Sequence, residues 1–121
     1  KWRQSGVARA LSAAGFATEI IYPRDAEVAD LSRPTIKVLT THSAKGYEFG
    51  AVILVGLEDL PNPDGLPEHD RQMRTAYVGA TRARDRLIIT YTKVNDYLER
   101  IRSVPPTILR RWTYPDDYGI E

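Results

Sequence analysis

Short apolar runs that alternate with stretches of helical periodicity constrain this chain more than any other feature. Between Gly6 and Ala14, the residues Val7, Ala10, Leu11 and Ala14 fall on one helical face, and Gly15 stands where glycine commonly ends a helix. Phe16 to Tyr22 reads as a strand closed by Pro23. Residues 23–34 carry proline and acids without period, which predicts a loop or a short irregular helix. Ile36 to Thr40 is rich in β-formers, and His42 to Gly46 is a turn. Ala51 to Val55 is an apolar run that fits a strand buried on both faces. Pro61, Pro63, Gly65 and Pro67 mark a loop near a possible site. Helical spacing resumes at Glu68, with Met73, Ala76, Tyr77 and Ala80 on one stripe. Arg86 to Thr92 is another strand, and Asp96 to Ser103 is a closing helix ended by Pro105-Pro106. The tail from there to Glu121 shows no period.

Strands alternating with helices predict an α/β fold with a mainly parallel sheet and helices on its faces. In such sheets ligands bind beyond the carboxyl ends of the strands. The turn after Thr40 and the loop after Gly56 are expected there. A length of 121 residues fits one domain and not two. The chain has no cysteine, which excludes disulfides and cysteine-ligated metals. Its net charge of +1 says little about partners, but the distribution is uneven. Arg71, Arg74, Arg82, Arg84 and Arg86 face a single acid, Asp85, in that stretch, and Arg100, Arg102, Arg110 and Arg111 form a second cluster. Such clusters suit phosphate, and they suit a solvated face equally well. The apolar runs are too short to span a bilayer, and no membrane partner is expected. No secretory signal is recognisable at Lys1-Trp2-Arg3, where the start reads as a cut inside a longer chain, and a cytoplasmic protein is the default.

Two stretches carry chemistry. In the first, Thr40 to Phe49, a strand runs into hydroxyls, an imidazole, an amine and a glycine, followed by an acid. Hydroxyls and backbone N–H groups at a strand end can hold phosphate oxygens, while Glu48 can accept from ribose hydroxyls. A plain polar loop with a solvated Lys45–Glu48 pair explains the same residues. Lys45 precedes the glycine and no Gly-Lys-Ser/Thr occurs anywhere, so this is not a Walker A loop. In the second, Tyr77 to Arg84, Arg82 falls at or just past a helix end. It can complement the helix dipole there, worth about 0.3–1 kcal/mol. It can also meet the charge that builds on a transferring γ-phosphoryl group.

"LTTHSAKGYEF" at 39–49 followed by "YVGATRARDRLIITYT" at 77–92 resembles motifs V and VI of superfamily one DNA helicases of the UvrD/Rep group. The resemblance covers residues 5–93, is strongest over 36–92 and lapses in the tail. It implies the later part of the second RecA-like (P-loop NTPase-like) domain, a three-layer fold incomplete here, over residues 1–103, with 104–121 a tail or linker. Such helicases clamp ATP and magnesium between two RecA-like domains and step along single-stranded DNA. Arg82 matches the motif VI arginine, which reaches the γ-phosphate held by the first RecA-like domain. Glu48 matches the motif V glutamate near the nucleotide sugar. Thr41, His42 and Ser43 match the segment linking the ATP cleft to the DNA track, and Lys45 and Gly46 match its turn. Tyr77 and Gly79 are expected only to pack or position the helix.

Two departures stand out. Tyr47 replaces the leucine usual in the family and should bury its ring with a partner for the hydroxyl. The acidic run before motif VI is weak, with Glu68-His69-Asp70 followed by Arg71-Gln72. The chain also has no phosphate-binding Gly-Lys-Thr loop, no Asp-Glu pair for magnesium and no Asn-Tyr-Arg-Ser-like opening segment. Phosphoryl transfer needs those groups around one site, so this piece alone should be inactive, with no tightly bound cofactor. A competing reading is a non-catalytic module that binds single-stranded nucleic acid, with Tyr47, Phe49 and Tyr77 as candidate stacking platforms. An uncovered sheet edge could also let the piece form a homodimer.

Overall fold

A computed structural model describes residues 4–59 and 67–113. Outside them lie most of the proline-rich loop, the Tyr114 to Tyr118 part of the tail and the Lys1-Trp2-Arg3 start; the side chains of the weak acidic run and of Arg71 also lie outside. The chain folds as a small α/β unit with two separate two-stranded parallel sheets, where a single sheet was expected. In chain order it has α1 (Gln4–Ala13), β1 (Thr18–Ile20), β2 (Ile36–Val38), β3 (Phe49–Val55), α2 (Pro67–Ala80), β4 (Ala83–Thr90) and α3 (Asp96–Arg102). Short 3₁₀ turns at Pro23–Asp25 and Leu57–Asp59 follow β1 and β3.

α1 ends as its sequence dictates. Gly15 takes φ +95°, a conformation that costs a side-chain-bearing residue dearly. Ala8 of α1 is buried with Ile21 and Val38, so the helix covers the β1–β2 pair. The Gln4 side chain donates to the carbonyls of Ile21 and Val38 at 3.2 and 3.3 Å. Glu19 and Lys37 are partners in the register, and their side chains meet at 2.7 Å. Arg33 reaches the other Glu19 oxygen at 2.8 Å, and Thr35 donates to Glu19 at 2.8 Å. These bonds to Lys37 first, then Thr35 and Arg33, hold the Glu19 carboxyl below its ordinary pKa.

β3, α2 and β4 form a β–α–β crossover, the connection that parallel neighbours require. Leu54 lies opposite Ile89, and both join a core with Leu57, Leu98, Ala76, Ala80, Tyr91 and Ile101. Burying Leu98 completely contributes about 1.5–3 kcal/mol. The other face of the ribbon is open, with Ile53 60% exposed, so β3 is not buried on both faces. The ladder slips between Phe49 and Ala51, where Phe49 faces Ala83 but Ala51 faces Arg86. The extra β4 residue is a bulge between Ala83 and Arg86, close to Arg82.

The buried stripe of α2 is Ala76, Gly79 and Ala80, while Met73 and Tyr77 are exposed, Tyr77 by 70%. Small residues occupy the stripe because the chain approaches closely there. A Cβ on Gly79 would lie 3.0 Å from Leu54 and 3.1 Å from Thr41. α3 is capped by Asn95, whose side chain accepts from Leu98 N–H at 3.1 Å. Beyond α3 the chain turns at Pro105, and residues through Trp112 line a shallow groove with β4 and α3.

Candidate functional site

The site is built at the amino ends of β3 and β4. α2 ends at Ala80, and its last carbonyls take partners from the residues that follow. Thr81 N–H donates to Tyr77 O at 2.9 Å, and the Thr81 hydroxyl donates to the carbonyls of Tyr77 and Val78 at 2.9 and 3.1 Å. Arg82 Nε donates to Val78 O at 3.1 Å, so the arginine does complement the helix end. Its Nη1 donates to Tyr47 O at 3.4 Å and its Nη2 to Thr81 Oγ1 at 3.2 Å. The guanidinium is thus turned toward the segment that carries Glu48. A guanidinium has five N–H donors, and these bonds occupy three. The Arg82 carbonyl accepts from Phe49 N–H at 2.8 Å, which starts the β3–β4 ladder beside the side chain.

The turn between β2 and β3 supplies the other wall. The Thr40 hydroxyl accepts from Ser43 N–H at 3.2 Å and donates to the Ser43 hydroxyl at 3.0 Å. Ala44 N–H donates to the carbonyls of Thr40 and Thr41 at 3.1 and 3.2 Å. Gly46 has φ +91°, so a glycine is required to send the chain on into Tyr47. Ser43 is 5% exposed and shapes the turn from inside. Thr41 packs on Gly79, which joins the two motif stretches directly. His42, Lys45, Gly46 and Glu48 are exposed. Among the described residues, no side-chain hydrogen bond or ion pair holds His42, Lys45 or Glu48.

The placement differs from expectation in one respect. The turn after Thr40 does follow the carboxyl end of β2, and the Leu57–Asp59 turn follows the carboxyl end of β3. Arg82 and Glu48, however, sit at the opposite end of the β3–β4 ribbon from Gly56. The rule for one continuous parallel sheet does not place a site on two separate strand pairs. The aromatic residues also divide. Tyr47 and Phe49 pair with each other, ring centres 6.4 Å apart, whereas Tyr77 faces solvent.

Sequence reading missed a cluster at the far end of the ribbon. Glu58 is 5% exposed, and its Oε2 accepts from Thr92 N–H at 2.7 Å and from the Thr92 hydroxyl at 3.4 Å. Asn95 Nδ2 donates to Leu57 O at 2.7 Å, and Lys93 meets Asp59 at 3.7 Å. An acid three residues after an apolar run was the available signal. Among the described residues, no three metal-ligating side chains converge. Among them also, no helix is long and apolar enough to cross a membrane.

The stretch that holds the β–α–β unit has known relatives. Residues 16–94 match the UvrD-like helicase C-terminal domain, and the chain belongs to that family. Over 70 residues it is 41% identical to DNA helicase II of Escherichia coli (strain K12), a match covering 54% of this chain and 10% of that protein. The ATP-dependent DNA helicase Rep of the same strain is 38% identical over 79 residues, covering 61% of this chain and 12% of Rep. The ATP-dependent DNA helicase PcrA of Bacillus subtilis (strain 168) is 37% identical over 78 residues, covering 60% and 11%. The chain spans about a tenth of the length of these relatives.

Proposed function

We propose that this chain forms part of an ATP-dependent DNA helicase or translocase and contributes one wall of a nucleotide cleft. The observation that carries the reading is Arg82, turned toward the Tyr47–Glu48 segment, with two of its N–H donors uncommitted among the described residues. Those donors fit a phosphate oxygen, and the exposed Glu48 carboxylate fits the hydroxyls of a sugar. The first RecA-like domain of the same protein would hold ATP and magnesium, which supply the phosphoryl group and the charge that balances it. This chain's own part is to present Arg82 to the γ-phosphate. Gly46 joins Glu48 and Arg82 on the nucleotide side, while Thr41, His42, Ser43 and Lys45 couple the cleft to single-stranded DNA, with Thr41 resting on α2.

The reading assigns residues 1–103 to the later part of a second RecA-like domain and 104–121 to a tail or linker. It places the protein in the cytoplasm, and the chain by itself hydrolyses no ATP. The test is Arg82→Ala in the full-length protein. ATP binding is retained while kcat falls by about three decades or more, the usual worth of such an arginine. Circular dichroism checks that loss of the bond to Val78 has not unfolded α2. Near-normal turnover in a folded variant removes Arg82 from the site.

A further inference from the structure

Tyr47 links the candidate site to the turn after β1. Its carbonyl accepts from Arg82 Nη1 at 3.4 Å, and its hydroxyl donates to the carbonyl of Ala26. Ala26 is buried and closes the 3₁₀ turn by donating its N–H to Pro23 O at 3.4 Å. That turn follows Ile21, whose N–H donates to Val38 O at 3.0 Å. Hydrogen bonds and the backbone between them therefore connect the β1–β2 pair through the tyrosine to the arginine. The ring itself is set by Phe49, tilted 46° to it.

The anchor matters because of where the carbonyl sits. Tyr47 lies between Gly46 and Glu48, both exposed, on a turn whose glycine has positive φ. A bond of 3.4 Å to Nη1 is longer than an ordinary N–H···O bond, so a small displacement of the carbonyl would break it. A side chain without a hydroxyl could fill the space of the ring but could not donate to Ala26.

We propose that Tyr47 is a positioning residue for Arg82, its hydroxyl fixing through Ala26 the carbonyl that receives the guanidinium. The proposal rests on the reading of Arg82 as the phosphate-facing arginine. In the full-length protein, ATP hydrolysis is measured for Tyr47→Phe, Arg82→Ala and the double variant, with thermal unfolding alongside. Phenylalanine keeps the ring and loses the hydroxyl alone. Tyr47→Phe should lower kcat by about three- to tenfold, the worth of one neutral hydrogen bond, and leave the KM for ATP within about twofold. In the Arg82→Ala background it should cause no further loss, because the tyrosine acts through the arginine. Unchanged kcat for Tyr47→Phe beside a collapsed Arg82→Ala overturns the proposal. So does an equal loss in both backgrounds, which marks a general structural role. Wild-type turnover in Arg82→Ala instead sinks the parent reading, and the Tyr47 role with it.

Discussion

Replacing Gly79 by alanine measures how closely the two halves of the candidate site are pressed together. A Cβ at this position would lie 3.0 Å from Leu54 Cδ1, 3.1 Å from Thr41 Cγ2 and 3.3 Å from Thr41 Oγ1. Alanine in place of glycine inside a helix gains about 0.8–1 kcal/mol. Forcing one methyl into a filled space costs about 1–3 kcal/mol. Leu54 is buried in the core and the Thr41 backbone is held by Ala44 N–H, so neither neighbour retreats freely. The net expectation is a loss of about 0–2 kcal/mol. Gly6 supplies the control, since it lies in α1 with nothing within 4 Å of its would-be Cβ. Gly6→Ala should therefore show the propensity gain alone, up to about 1 kcal/mol. Urea titration of both variants should separate them by about 1–3 kcal/mol at unchanged slope. Thr41→Ala removes two of the three crowding atoms and should recover part of the loss in the double variant. If Gly79→Ala stabilises as much as Gly6→Ala does, the claim that Thr41 presses on α2 is refuted.

Other expectations concern the core and acid stability. Leu98→Ala should cost about 2–5 kcal/mol in chemical denaturation, because the side chain is fully buried between α3 and Leu54; a loss near zero would mean that α3 does not dock as described. Glu19 has a lowered folded-state pKa, so its contribution is fully present above the ordinary glutamate range and is lost as pH falls through the lower folded value. Acid titration of stability should show that loss, Glu19→Gln should flatten it, and an unchanged profile in that variant would remove the Lys37 contact as its cause.

Local features were legible in the sequence wherever one residue has one physical consequence. Gly15 ends α1, Asp96 to Ser103 is helical to within a residue, and Arg82 lies just past α2, because capping and helical spacing act over a few neighbours. The need of the Tyr47 hydroxyl for a partner was also legible, though its partner Ala26 was not. Pairing was less so. The run Ala51 to Val55 cannot show how many strands flank it, and Ile53 proves exposed because the helices cover the Leu54 side. β4 starts at Ala83, three residues before Arg86, since the bulge carries the ladder back to the helix end. On α2 hydrophobicity pointed to Met73 and Tyr77, but close approach to Thr41 and Leu54 demands small residues, which selects Gly79. Contact distance, not apolarity, set that face.

The company Arg82 keeps bears on how it could work. Its bonds go to two backbone carbonyls and a hydroxyl, and among the described residues no carboxylate pairs with it. A hydrogen bond between neutral groups has a net worth of about 0.5–1.5 kcal/mol, and one to a charged group about 1.5–3 kcal/mol. A carboxylate partner would compete with a phosphate for the same guanidinium, charge against charge. Carbonyls aim the group without neutralising it, so the positive charge stays available at the mouth of the turn. Because two N–H donors remain among the described residues, a phosphate oxygen could be met without breaking the bond to Val78 that caps α2. On the proposed reading the same side chain ends its helix and serves a cleft, so the cap is also a means of orientation.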